Sequence, residues 1–282
     1  MRWFVLTLLI YSIVLTDTVD PVDSGITFLN VGVGDATIVR VDEKVIFIDA
    51  GPSDSILYNI DNLPKKIDLL VITHQHEDHI SGARYLLERF DVREVIMPRL
   101  CDVDPIDVLY PSGAETRKTA ITLLDNNDLI EYQYPLPNSM LDEKVKLKLF
   151  LPRYGDSVTD ECIRVTDTPQ VNDNSIVTEI LSPDVKILLM GDTEKEGEFA
   201  LLENQSALNA IADYQILKAG HHCSNTSSGE KFLRYVDPEI LVCSTGEYNS
   251  YGHPSREVLD RADSLGIKIH LTYRDGDLFV PF

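Results

Sequence analysis

From Gly25 onward, short apolar runs alternate with segments whose apolar side chains recur every third or fourth position. Residues 25–31, 36–41 and 44–48 read as three consecutive strands, the last two joined by a tight Asp42-Glu43 turn. Residues 67–73 form a near-continuous apolar run ending at His74, the pattern of a strand buried on both faces. Residues 78–90 then set Ile80, Ala83, Leu86 and Leu87 at helical spacing, with Asp78 standing where an N-cap would. Residues 94–97 read as the next strand.

The second half follows the same grammar, with strands over 145–151, 175–181, 185–189, 214–217, 240–243, 267–271 and 278–280. Helices are expected over 194–203, 228–235 and 255–265. Strands clustered in both halves with helices between them imply an α/β architecture of two sheets packed face to face, helices outside. Residues 102–138 and 153–171 are polar and punctuated, and read as long loops near a site. No internal repeat or Gly/Ser linker interrupts residues 25–282, and the chain is long enough for one large domain or two small ones.

Composition narrows the class. A chain with 44% hydrophobic and 25% charged residues is neither disordered nor a multi-span membrane protein. Its formal charge of −21, with no basic run, argues against a generic nucleic-acid-binding surface. Bound divalent metals can nevertheless reverse the field locally. Residues 1–20 break the pattern: Arg2 precedes a mainly apolar run from Trp3 to Leu15, then Asp17 and Asp20 follow. This resembles a secretory signal peptide and implies a secreted or membrane-anchored, extracytoplasmic domain. Val14 and Thr16 make a poor cleavage site, so an uncleaved membrane anchor is the alternative, and a buried first strand a third. Cys101, Cys162, Cys223 and Cys243 show no C-x-x-C pairing; export would permit disulfides among them, and the default for each is a small buried hydrophobe.

The concentrated chemistry lies in Thr73-His74-Gln75-His76-Glu77-Asp78-His79. His74 and His76 share a face if the chain stays extended, and Asp78 with His79 follow where strand gives way to helix. Three imidazoles and a carboxylate so close together suit neither a core nor a solvated surface. They are ligands for a borderline-soft divalent metal, zinc being the usual occupant.

His74-Gln75-His76-Glu77-Asp78-His79 resembles the H-x-H-x-D-H signature of the metallo-β-lactamase superfamily. Ile48-Asp49-Ala50-Gly51, Met190-Gly191-Asp192-Thr193, Gly220-His221-His222-Cys223-Ser224 and Gly252-His253-Pro254 resemble its other motifs in order. The combination is most similar to the hydrolase domain of ComEC-type competence (DNA-uptake) proteins and their free-standing relatives. The resemblance implies a four-layer αββα sandwich of two mixed sheets. It also implies two divalent metal ions, zinc first and manganese or iron as other occupants. His74, His76 and Asp192 would hold one metal; Asp78, His79, Asp192 and one of His221 and His222 the other. Neighbours on a strand point opposite ways, which allows one ligand from that pair, and His222 is favoured. Catalytic roles fall to Asp78, His221 and His253, the last touching the phosphate or protonating a leaving group. Asp49 would orient a ligand histidine. Asn172, Asn174 and Ser224 are candidates for substrate contact, with turn formation or helix capping as the alternative.

Two departures from the family pattern matter. No histidine stands between His79 and His221, where relatives carry a further ligand; Asn172-Asp173-Asn174 stands there instead. Cys223 replaces a motif glycine, which predicts that the backbone there needs no positive φ. Lys218 has no evident role, Glu77 reads as solvated, and His270 as structural. The implied function is a metal-dependent hydrolase using a dinuclear metal-activated water, foremost a phosphodiesterase acting on a small phosphodiester or nucleic acid. Hydrolysis of another ester, thioester or lactone, a non-catalytic metal-binding module, and a di-iron redox enzyme are the competing readings.

Overall fold

The computed structural model describes residues 24–60, 63–101, 103–110, 119–125, 128–136, 143–152, 162–163, 168–203 and 213–282. The first half supplies β1 (Gly25–Phe28), β2 (Ala36–Val41), β3 (Lys44–Ala50), β4 (Lys66–Ile67), β5 (Leu69–Val71), β6 (Asp91–Val92), β7 (Glu94–Pro98) and β8 (Ala120–Leu124). The second supplies β9 (Leu129–Pro135), β10 (Lys144–Phe150), β11 (Val177–Leu181), β12 (Lys186–Leu189), β13 (Ile216–Lys218), β14 (Ile240–Cys243), β15 (Lys268–Leu271) and β16 (Leu278–Pro281). One sheet runs β16-β1-β2-β3-β5-β7-β8 and the other β15-β14-β13-β12-β11-β10-β9.

Period-two alternation decides how the layers stack. Ile187, Leu189, Ile216 and Val242 join Ile26, Phe47 and Val71 in the core between the sheets. Their alternates Leu188, Leu217 and Leu241 pack outward against Leu201, Phe232 and Val258. Those three come from helices Lys195–Glu203, Glu230–Val236 and Arg256–Ser264. The architecture is the αββα sandwich of two mixed sheets. β3, β5 and β7 run parallel, as do β12 through β15. The segments that leave β5, β12, β13 and β14 carry His74, Asp192, His222 and Ser244, so the site sits at the carboxyl ends of parallel strands.

Several expected elements are redrawn. The apolar run over 67–73 is split between β4 and β5 by Asp68, whose carboxylate accepts from Lys44 Nζ at 3.0 Å and Lys66 Nζ at 2.8 Å. The helix over 78–90 is two helices, Glu77–Ile80 and Ala83–Arg89. The break falls at Gly82, whose N donates to Gly51 O at 2.9 Å, and where a Cβ would lie 1.8 Å from Ala50 O. His76 takes the N-cap position, with no side-chain cap, so Asp78 does not cap; it lies inside the first turn. The stretch 102–138 is not simply loop: it contains a helix (Pro105–Leu109), β8 and β9. β9 is an edge strand that alternates half-buried and exposed residues, which is why it reads as polar. Residues 153–171 likewise end in a helix, Thr168–Asp173.

The cysteines are not unpaired hydrophobes either. Cys101 bonds Cys162, and Cys223 bonds Cys243. The leader-like residues 1–20 lie outside the described residues. Among the described residues, no helix is long and apolar enough to cross a membrane.

Candidate metal centre

Three imidazoles are oriented from behind by acceptors on their Nδ1 atoms. Asp49, at the end of β3, accepts from Thr73 N at 2.8 Å, from Thr73 Oγ1 at 2.7 Å and from His79 Nδ1 at 2.7 Å. His222 Nδ1 meets Ser244 O at 2.9 Å and Asp35 Oδ1 at 3.3 Å. His74 Nδ1 lies 3.2 Å from Thr73 Oγ1 and 3.3 Å from Ser175 Oγ. With Nδ1 engaged, each ring presents Nε2 to the centre. His79 Nε2 and His222 Nε2 stand 3.3 Å apart, and each is 3.1–3.4 Å from Asp192 Oδ1. Asp78 Oδ2 closes this group at 3.0 Å from His222 Nε2. On the other side, His74 Nε2 lies 3.0 Å from His76 Nδ1 and 3.6 Å from Asp192 Oδ2.

The donors therefore fall into two groups that share Asp192. One holds His74, His76 and Asp192; the other gathers His79, Asp192 and His222 with Asp35 beside them. Asp35 reaches His222 from the Nδ1 side and is ion-paired to Lys218 Nζ, so it stands behind the ring. Asp78 stands on the Nε2 side, facing the centre.

The electrostatics fit divalent metal. Burial opposes charge on Asp192, yet His222 and His79 hold its carboxyl well below the usual range. Burial would likewise depress His79 and His222; Asp192, with Asp49 for the first and Asp35 for the second, lifts both imidazoles well above theirs. His74 instead sits well below its range through burial and the neighbouring His79. Buried Asp192 Oδ1 faces the Nε2 atoms of His79 and His222 at 3.1 and 3.4 Å. A buried concentration of carboxylates and inward-facing imidazole nitrogens of this kind is the donor set of a dinuclear metal site.

Residues 29–247 match the family model described as the metallo-beta-lactamase superfamily. The chain belongs to that superfamily. It is 26% identical over 216 residues to ComE operon protein 3 of Bacillus subtilis, spanning 76% of this chain and 24% of that protein. It is 36% identical over 125 residues to Competence protein ComA of Neisseria gonorrhoeae, spanning 44% and 18%. The chain thus spans about a quarter or less of the curated relatives it matches. Its fold resembles the metallo-beta-lactamase fold protein YhfI of Bacillus subtilis, with a TM-score of 0.55 at 8% identity over 91% of this chain and all of that one. It also resembles human tRNase Z, short form, with a TM-score of 0.51 at 15% identity over 91% and 99%.

In this metallo-beta-lactamase-fold chain His76, Asp78, Asp192 and His222 floor a cavity of about 620 Å³. Its walls include Asn172, Glu194, His221, Thr226, Tyr251 and His253. His221 does not join the metal-facing group: its Nδ1 lies 3.1 Å from Glu194 Oε1 and 3.2 Å from Thr226 Oγ1. Asn172 Nδ2 donates to the same Glu194 oxygen at 2.9 Å. Asn174 is fully buried. Ser224 accepts from Thr226 N at 3.3 Å and makes a turn; it caps no helix, since Gly229 precedes helix Glu230–Val236. His253 packs against Tyr251 with ring centroids 6.0 Å apart, and its Nδ1 is buried without a partner. Burial, then His221 and His222, push its imidazole down to about 4. Glu77 is exposed at the cavity rim, and His270 Nε2 bonds Gly276 O at 2.9 Å.

The two late histidines separate for a reason that strand geometry does not supply. They lie in a tight turn, Gly220–Cys223, with His221, His222 and Cys223 all left-handed at φ 44°, 52° and 63°. The expectation that Cys223 needs no positive φ is therefore overturned. Such backbone costs about 1–3 kcal/mol per non-glycine residue and persists only where its surroundings over-determine it. Here His221 N bonds Gly191 O at 3.2 Å, Ser227 Oγ bonds Gly220 O at 2.6 Å and Ser255 N bonds Cys223 O at 2.8 Å. Asp35, Lys218, Glu194 and Ser244 were not assigned roles from sequence. Asp35 precedes β2, next to Gly34, where a Cβ would lie 2.3 Å from Asp78 O.

Asp49→Asn keeps the side chain's shape but removes one of the acceptors that orient His79 and Thr73. Metal affinity should fall by about 10–100-fold with the fold intact, read by competition against a chromophoric chelator. Unchanged affinity would show that His79 needs no such anchor.

Proposed function

We propose that this centre is a di-zinc phosphodiesterase, acting on small phosphodiesters in preference to polymeric nucleic acid. The observation that carries the reading is the asymmetry of the two donor groups: His74, His76 and Asp192 form a three-member set, with no histidine supplied from the Asn172 segment. These three residues would hold one metal with fewer protein donors than a closed four-ligand site, which would leave it free to polarise a substrate oxygen. Two metals at such a site supply an activated water and stabilise charge on the attacked phosphorus. Asp78, His79, Asp192 and His222 would hold the second metal.

His221, fixed through Nδ1 by Glu194, keeps Nε2 for the substrate and is the candidate proton donor to the leaving group. His253, neutral at pH 7, serves as a hydrogen-bonding contact. Asn172 lines the same wall. Among the described residues, no lysine or arginine lines the cavity, and the chain carries a charge of −21; both favour a substrate with a single phosphodiester. Similarity to competence proteins keeps single-stranded DNA in the comparison. Two disulfides and the leader-like residues 1–20 support an oxidising, extracytoplasmic location.

Zinc-loaded protein should hydrolyse bis-(p-nitrophenyl) phosphate well above single-stranded DNA, and leave nitrocefin intact. Turnover of nitrocefin alone would overturn the phosphodiesterase reading.

A further inference from the structure

We propose that the Cys223–Cys243 disulfide is a positioning clamp for the metal-facing histidine His222. The bond runs beside the hydrogen bond it would protect. Cys223 follows His222 in the chain, and Cys243 precedes Ser244. Ser244 O is the acceptor, at 2.9 Å, that turns His222 Nε2 towards Asp78, Asp192 and His79. The two halves of the cystine are thus each one residue from the two ends of that contact.

Cys223 holds φ 63°, a conformation a glycine adopts freely and a cysteine does not. The side chain retained there is wholly buried, as is Cys243. Its sulfur is committed to a covalent link between the turn Gly220–Cys223 and the end of β14. Parallel pairing carries the same registration: Ala219 N bonds Val242 O at 3.0 Å, just before the turn. The hydrogen bond sets the ring's direction and the disulfide fixes the distance over which it can act. Cleavage by a dithiol, which is oxidised to its cyclic disulfide while the protein gains two thiols, frees the turn to relax from its left-handed run. The second metal group is then loosened, while His74, His76 and Asp192, on other elements, are untouched. The proposal rests on His222 as a metal ligand and is independent of the substrate.

The test titrates metal-free protein with zinc(II) alone, reading stoichiometry and affinity for each site by chelator competition, without any substrate. Cys223→Ala/Cys243→Ala removes the link but keeps a side chain on left-handed backbone. The site that contains His222 should lose about 10–100-fold in zinc affinity, as loss of an orienting partner does, and the His74–His76 site should keep its own. Cys223→Gly/Cys243→Ala, which relieves the backbone, should recover part of that loss. Removing the Cys101–Cys162 bond, neither half of which adjoins a metal-facing residue in the chain, as serines should leave both affinities unchanged. Should the alanine pair fail to fold, wild-type protein held in dithiothreitol provides the same measurement, with a thermal melt confirming that it stays folded. Wild-type affinity at both sites without the link, whatever the fall in Tm, would overturn the proposal and leave a simple brace. Zinc affinities unchanged by His222→Ala would remove its premise, the His222 ligand.

Discussion

Asp192→Ala should abolish metal-dependent hydrolysis, lowering kcat/KM by at least about 10³-fold. A metal centre stabilises transition-state charge by several kcal/mol, and each 1.36 kcal/mol is a factor of ten. Asp192 is the one residue common to both donor groups, with one oxygen towards His74 and the other towards His79 and His222. Zinc uptake at both sites should therefore collapse together, measured by metal analysis of protein purified without chelators. His76→Ala, by contrast, should weaken the three-member site and spare the other. If Asp192→Ala retained one tightly bound metal and near-normal activity, the carboxylate would not be shared.

Lys218→Met is expected to be the most destabilising single change near the site, by about 3–5 kcal/mol, because it leaves a buried carboxylate without its cation. Lys218 and Asp35 are both buried, and Lys218 Nζ also donates to Gly191 O at 3.0 Å. Burial opposes charge on Asp35; Lys218, with His222 and His79 adding to it, outweighs burial and keeps the carboxyl below its usual range and ionised throughout the working pH. The change reads as a lowered denaturant midpoint at unchanged m-value. Adding Asp35→Leu removes the orphaned charge and should restore most of the stability, since a buried pair is often replaceable by apolar residues. Zinc affinity should not return with it, because Asp35 also meets His222 Nδ1. A Lys218→Met variant within 0.5 kcal/mol, about the spread of neutral surface changes, would refute the pair's structural role.

What was legible in the chain and what was not divides along sequence separation. His74, His76, Asp78 and His79 could be found because one strand-to-helix junction delivers them within six positions. Their spacing alone puts the donors within reach of one another. The strands that build the sandwich were legible too, since buried alternation and apolar runs are local signals; 240–243 was placed to the residue. Elements failed where a local signal was overridden by a contact from elsewhere. Asp68 breaks its strand to meet Lys44 and Lys66. Gly82 divides a helix because the end of β3 passes against it. β9 reads as loop because an edge strand buries only one face.

The sequence by itself determined the superfamily, the αββα architecture and most of the metal-facing donors, because each depends on residue type and short spacing. Only the tertiary structure decided the rest. It brought Asp35 and Lys218 together from 183 positions apart, aimed His222 through Ser244, and gave His221 to Glu194. It also joined Cys223 to Cys243 across a left-handed turn that no propensity predicts. Orientation of a ring, charge balance in a buried cluster and backbone held against its preference all come from groups distant in the chain. Packing of the whole sandwich supplies them.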